Sequence, residues 1–128
     1  MSGIKYLLDT NILIGLAGDS EEVISLLKLL NLDQDACGIS VISRMEFLSY
    51  PKLYDVEFSS LEQFLLKFKI ISFDTDIERH AIAIRREFRL KLPDAILAGS
   101  AISGGFTLLT LDKELQRVFG EYSKKINA

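Results

Sequence analysis

Ile4-Lys5-Tyr6-Leu7-Leu8-Asp9-Thr10-Asn11 sets the pattern from which the fold is read. The first five residues suit a short β-strand, and the three that follow suit ending a strand and capping a helix through a side-chain oxygen. The pairing of apolar run and helix start recurs along the chain. From Ser20, the acidic turn Glu21-Glu22 precedes Val23, Leu26, Leu27 and Leu30, whose spacing of three and four places them on one helical face. Ala36 to Ser40 reads as a strand, after which Ser40 or Ser43 opens a helix that passes through Glu46 towards Tyr50 and stops at Pro51. Ser59-Ser60-Leu61-Glu62 has capping-box spacing and starts a helix with Leu61, Phe64, Leu65 and Phe68 on one side, leading to a strand at Ile70-Ile71-Ser72-Phe73. Thr75-Asp76-Ile77-Glu78 repeats that device ahead of a helix with Ile77, Ala81, Ile84 and Phe88 as its buried stripe. Leu92-Pro93-Asp94 opens another helix over the small residues Ala95, Ala98, Gly99 and Ala101, which permit close packing. Gly104-Gly105 ends it, Phe106 to Thr110 forms a last strand, and Asp112 caps a terminal helix through about Phe119.

Strands alternating with helices imply right-handed crossovers and a mainly parallel sheet covered on both faces. The fold class is therefore α/β, a three-layer α/β/α sandwich. At 128 residues, 48% of them hydrophobic, the chain is expected to form one domain over residues 1–128, without repeats or linkers. The lone Cys37 falls within an apolar strand and has no partner for a disulfide, which fits a reduced, cytoplasmic protein. No run approaches the length of a membrane span, and Met1-Ser2-Gly3-Ile4-Lys5 lacks the apolar region of a signal peptide. A net charge of -3 argues against indiscriminate binding to nucleic acid. A mean hydropathy of +0.23 is high for a small chain and suggests apolar surface covered by another chain.

Four acids stand at element junctions. Asp9 and Asp112 lie just past apolar strands, at the carboxyl ends where ligands bind in open α/β sheets, and Glu46 and Asp94 lie in the early turns of helices. Taken singly, each suits a helix cap or dipole. Four at successive junctions, with Asn11 and Thr110 beside two of them as hydrogen-bonding supports, point to one crevice. Carboxylates gathered in this way repel one another and take up protons unless a hard, oxygen-preferring cation sits among them, which fits Mg²⁺ or Mn²⁺. One His and one Cys offer little to zinc.

Leu7-Leu8-Asp9-Thr10-Asn11, Ile39-Ser40 with Glu46, Leu92-Pro93-Asp94-Ala95-Ile96-Leu97-Ala98 and Leu109-Thr110-Leu111-Asp112 resemble, in order and spacing from about residue 4 to 117, the PIN-domain ribonucleases. Within that family the chain is most similar to the small VapC toxins of toxin-antitoxin pairs. The resemblance implies that Asp9, Glu46, Asp94 and Asp112 are catalytic and bind one or two Mg²⁺ or Mn²⁺ ions, with Asn11 and Thr110 supporting them. It further implies metal-assisted hydrolysis of RNA to 5′-phosphate and 3′-hydroxyl ends, a homodimer, and a cognate VapB-type antitoxin whose C-terminal segment lies near the acidic pocket.

The other charged residues carry weaker signals. Arg85, Arg86 and Arg89 share part of a helix surface, with Lys91 following; they suit an RNA backbone, but a solvated face beside Glu78 and Glu87 is the plainer reading. Arg44 and Lys113 flank site residues and compete as phosphate contacts. Glu114 reads as a first-turn acid and His80 as a boundary histidine with no role. The alternative functions are a PIN-like binding module without activity and a receiver-type signalling module. A receiver calls for adjacent acids after the first strand and a late Lys-Pro, whereas Pro occurs here only at positions 51 and 93.

Overall fold

The computed structural model describes residues 3–127. The elements run β1 (Tyr6–Leu8), α1 (Thr10–Ala17), α2 (Glu21–Leu29), β2 (Cys37–Ser40), α3 (Val41–Leu48), α4 (Phe58–Leu65), β3 (Lys69–Ile71), α5 (Thr75–Phe88), α6 (Leu92–Gly104), β4 (Thr107–Leu109) and α7 (Lys113–Ile126), with 3₁₀ turns at Gln34–Ala36 and Pro51–Leu53. The four strands form one parallel sheet in the order β3-β2-β1-β4.

The three layers follow from β1. Consecutive strand residues point to opposite faces, so Leu7 and Leu8 can both be fully buried only if both faces are covered. Leu7 and Leu108 pack with Ile84, Ala98, Leu115 and Val118, on the side of α5, α6 and α7. Leu8, Ile39 and Leu109 pack with Leu13, Val23, Phe47 and Leu65, on the side of α1 to α4. Small residues set the closest approaches. A Cβ on Gly99 of α6 would lie 3.1 Å from the backbone of Ile77 and Ala81 in α5, and one on Gly15 would lie 2.3 Å from the Val23 side chain. Among the described residues no helix is long and apolar enough to cross a membrane.

Several local expectations are corrected. The strand expected at Ile70–Phe73 runs over Lys69–Ile71 and leaves Phe73 exposed. α4 begins at Phe58 rather than after a Ser59 cap: the Glu57 carbonyl accepts from the N–H groups of Ser60 and Leu61, which draws Ser59 into the first turn. Asp74 rather than Thr75 caps α5, its Oδ1 accepting from the Ile77 N–H at 2.9 Å, because a carboxylate is the stronger capping acceptor. In α2 only Val23 is buried, and Leu30 falls outside the helix and is exposed. α7 continues to Ile126 because Leu115, Val118 and Tyr122 extend its buried stripe, while Gly120 sits on an open side at a cost of ~1 kcal/mol. Cys37 is buried in β2, and Gly105 ends α6 in the left-handed conformation at φ 70°.

Candidate active site

Leu8 is in register with both Ile39 and Leu109, so the residues that follow, Asp9, Ser40 and Thr110, form a row along the carboxyl edge of the sheet. Ser40 caps α3, its Oγ accepting from the Ile42 N–H at 3.1 Å, and Ser43 is fully buried, its hydroxyl without a hydrogen-bond partner among the described residues. Of the two alternatives for opening α3, the structure selects Ser40.

Asp9 is the hub of the edge, and only 6% exposed. Its Oδ1 accepts from the Thr10 N–H at 2.6 Å. Its Oδ2 accepts from the Thr110 hydroxyl at 2.6 Å and from Asn11 Nδ2 at 3.2 Å. Thr110 Oγ1 in turn accepts from the Asp112 N–H at 3.0 Å, and Asn11 Oδ1 accepts from the Leu111 N–H at 3.2 Å. Gln116 Nε2 donates to the Thr110 carbonyl at 2.6 Å, which ties α7 to the same corner. Asp112 caps α7 through Oδ1, which accepts from Glu114 and Leu115. Glu46 Oε1 accepts from the Thr10 hydroxyl at 2.7 Å. Asp94 stands in the first turn of α6, partly buried, and among the described residues its carboxylate makes no hydrogen bond.

The four acids feel one another. Burial raises the Asp9 carboxyl above the ordinary range; the Thr110 and Thr10 hydrogen bonds oppose that shift, and the charges of Glu46 and Asp112 add to it. Burial likewise raises Asp94, followed by repulsion from Asp9, Asp112 and Glu46, with Lys91 opposing. Among the described residues, however, no three His, Cys, Asp or Glu side chains form a group that holds an ion as they stand. Both Asp9 oxygens and one oxygen each of Glu46 and Asp112 are engaged in hydrogen bonds within the protein. The donor set itself is all oxygen and all anionic, the chemistry that suits a hard divalent cation.

Arg44, two positions before Glu46, is directed at Glu62 of α4 at 3.6 Å. Arg85, Arg86 and Arg89 line a groove along α5 with Phe73, Ile82 and Leu92. Lys113 lines a shallow pocket with Thr110, Leu111 and Leu29. Glu114 is exposed and pairs with Arg117 at 3.4 Å, and His80 Nδ1 meets the Tyr122 hydroxyl at 2.8 Å. Two residues escaped the sequence reading. Thr10 bridges Asp9 to Glu46; its position between two site residues is the only local signal. Gln116 lies one turn after Asp112 on α7, and nothing in the sequence marks it.

A family model described as PIN domain matches residues 6–120. No curated protein matches. Among solved structures, a toxin-antitoxin complex from Klebsiella pneumoniae contains a chain 34% identical, with a TM-score of 0.73 and a match covering 84% of this chain and 87% of that one. FitAcB from Neisseria gonorrhoeae (23% identity, TM-score 0.73, 90% and 93% covered) and DNA-bound VapBC from Salmonella typhimurium (24%, 0.71, 90% and 92%) share the fold. With a family model spanning nearly the whole described fold and a relative one-third identical along most of its length, this chain is a member of the PIN domain family.

Proposed function

We propose that the chain is a divalent-metal-dependent endoribonuclease and the toxin of a VapBC-type toxin-antitoxin pair. The observation that carries the reading is the convergence at one sheet edge of four mutually repelling acids, the most buried of them braced from three residues. Asp9, Glu46, Asp94 and Asp112 would hold Mg²⁺ or Mn²⁺, which when bound supplies Lewis acidity and compensates charge at the phosphodiester. The Thr110 hydroxyl and Asn11 fix the Asp9 carboxylate, Thr10 aims Glu46, and the helix N–H groups of α7 hold Asp112. Asp94, without a hydrogen bond among the described residues, is the acid left free to turn to a cation. No side chain of the chain is needed as the nucleophile, since water serves that role in hydrolysis.

The toxin assignment rests on the solved relatives, whose chains occur in toxin-antitoxin complexes. An antitoxin segment reaching the acidic pocket with an Arg or Lys would meet uncompensated negative charge there. A native mass measurement of the co-expressed pair checks that part, and a chain recovered with no second protein bound would remove it. The looseness of the acids favours a second reading, a PIN-like module that binds partners without cutting. Labelled RNA incubated with purified wild type and Asp9→Asn, with Mg²⁺, Mn²⁺ or EDTA, separates the two. Cleavage that requires both the metal and Asp9 supports the nuclease, and its absence across a broad RNA panel leaves the binding module.

A further inference from the structure

We propose that the pocket between α2 and the start of α7 is a base-recognition site for the RNA, which takes one unpaired guanine next to the cut phosphodiester. The inference deepens the nuclease reading and rests on it. Glu22, Leu26 and Leu29 stand at i, i+4 and i+7 on one face of α2, and with Thr110, Leu111 and Lys113 they line a pocket of about 370 Å³. Its position ties it to the reaction. The Thr110 hydroxyl donates to Asp9 at 2.6 Å, and Lys113 directly follows Asp112, so pocket and acids share a wall. Leu26 and Leu111 pack against the core, whereas Leu29 is 83% exposed and packs in neither half of it. A concave site with apolar walls and a few polar groups is the kind that holds a small planar ligand.

The polar groups select the ligand. Glu22 and Lys113 carry opposite charges in one pocket, yet among the described residues neither side chain makes an ion pair or a hydrogen bond, whereas Arg44, Arg117 and Lys125 all find carboxylates. A nucleotide answers both at once. Its phosphate, leading away from the acids, meets Lys113, and its base enters among the leucines with one edge towards Glu22. An unpaired base, splayed out of a single strand and read on its edge, is the usual carrier of sequence in RNA recognition. An ionised carboxylate is an acceptor only. Guanine offers it two adjacent donors, N1–H and the 2-amino group, one for each oxygen. Adenine and cytosine set a ring nitrogen, itself an acceptor, beside their amino group, and uracil flanks its single N–H with two carbonyls. Glu22 therefore favours guanine and refuses uracil most strongly. A protein segment could cover the leucines, but the wall shared with Asp9 places the pocket along the path of the substrate strand.

Cleavage by the full chain of short single-stranded RNAs that differ only in the bases flanking the cut tests the proposal, with melting temperatures to verify that each variant stays folded. Wild type is expected to cut the guanine RNA about tenfold faster in kcat/KM than the uracil RNA. Inosine, which keeps N1–H and lacks the 2-amino group, should lose most of that advantage. Glu22→Ala is expected to level all five bases, while Lys113→Ala, which removes a phosphate contact, slows them alike. A wild type that cuts without preference for guanine, or a preference that Glu22→Ala leaves intact, would overturn the pocket and leave the nuclease standing. So would Glu22→Ala and Leu29→Ser proteins that cut as wild type does but no longer hold a co-expressed protein, which would assign the face to that partner. If wild type cuts no RNA, the nuclease reading falls and fluorescence anisotropy with the same RNAs decides the pocket. Guanine-dependent binding that Glu22→Ala removes would keep it, and equal or absent binding of all the RNAs would overturn it too.

Discussion

Asp9 and Asp94 bring the same charge into the same crevice and are held there in opposite ways. At the end of β1, Asp9 is buried and gripped by Thr10, Asn11 and Thr110. At the start of α6, Asp94 is only partly buried and hydrogen-bonded to nothing among the described residues. Burial raises both carboxyls, but for Asp9 donated hydrogen bonds pull back, while for Asp94 the three neighbouring acids push further. Asp9 is thus a fixed post built into the fold, and Asp94 an uncommitted arm whose ionisation its surroundings oppose.

The largest test of this contrast is Asp9→Asn. It removes the charge on which the Thr10, Asn11 and Thr110 hydrogen bonds converge, and metal-dependent RNA cleavage is expected to fall by more than the ~100-fold typical of losing a supporting residue. A retained rate in a gel-based cleavage assay would show that the hub is structural. Next in size, Thr110→Val deletes a hydroxyl that donates to Asp9 and accepts from the Asp112 N–H, at an expected cost of ~1–3 kcal/mol in stability by chemical denaturation. Cleavage should drop ~10–100-fold, and Thr110→Ser should recover most of both.

Asp94→Asn should act in the other direction on the folded protein. Nothing is lost by way of hydrogen bonds and repulsion is relieved, so the metal-free variant is expected to be more stable at neutral pH by up to about 1 kcal/mol, even as cleavage falls. A less stable variant would mean that Asp94 has an attractive role in the apo fold. The smallest effect is in pH dependence. A carboxyl whose pKa is higher folded than unfolded binds its proton more tightly when folded. Its contribution to stability is therefore present at low pH and lost as pH rises from the ordinary 3.8 through the raised folded value. Thermal melts of metal-free protein should decline over that interval, and the decline should shrink with Mn²⁺ or in Asp94→Asn.

The same contrast marks what the residue order reveals. Asp9, Thr110 and Asp112 were legible because each sits where an apolar run stops, and strand register then brings those stops into one row. Gly105 and the buried stripe of α5 were legible as local chemistry, and the Ser40 cap only as one of two options. What failed to show were choices between near-equal local options and bonds between distant residues. Asp74 outcompetes Thr75 by one position, and α7 runs past Gly120 because tertiary packing of Tyr122 outweighs a weak helix former. Thr10 reaching Glu46, Gln116 reaching Thr110 and Arg44 turning to Glu62 all join residues that only the folded chain makes neighbours.

The hydroxyl that grips Asp9 lies 101 residues downstream of it, and β1 takes β4 as one of its two neighbours in the sheet. On a translating ribosome adding about 5–20 residues per second, Asp9 is made roughly 5–20 s before the residue that holds it. Until then the first strand has no second neighbour and the row of acids has no far end. On the nuclease reading, synthesis itself acts as a safety catch: the half-made chain is harmless to the messenger that encodes it, and the cutting edge is sharpened last.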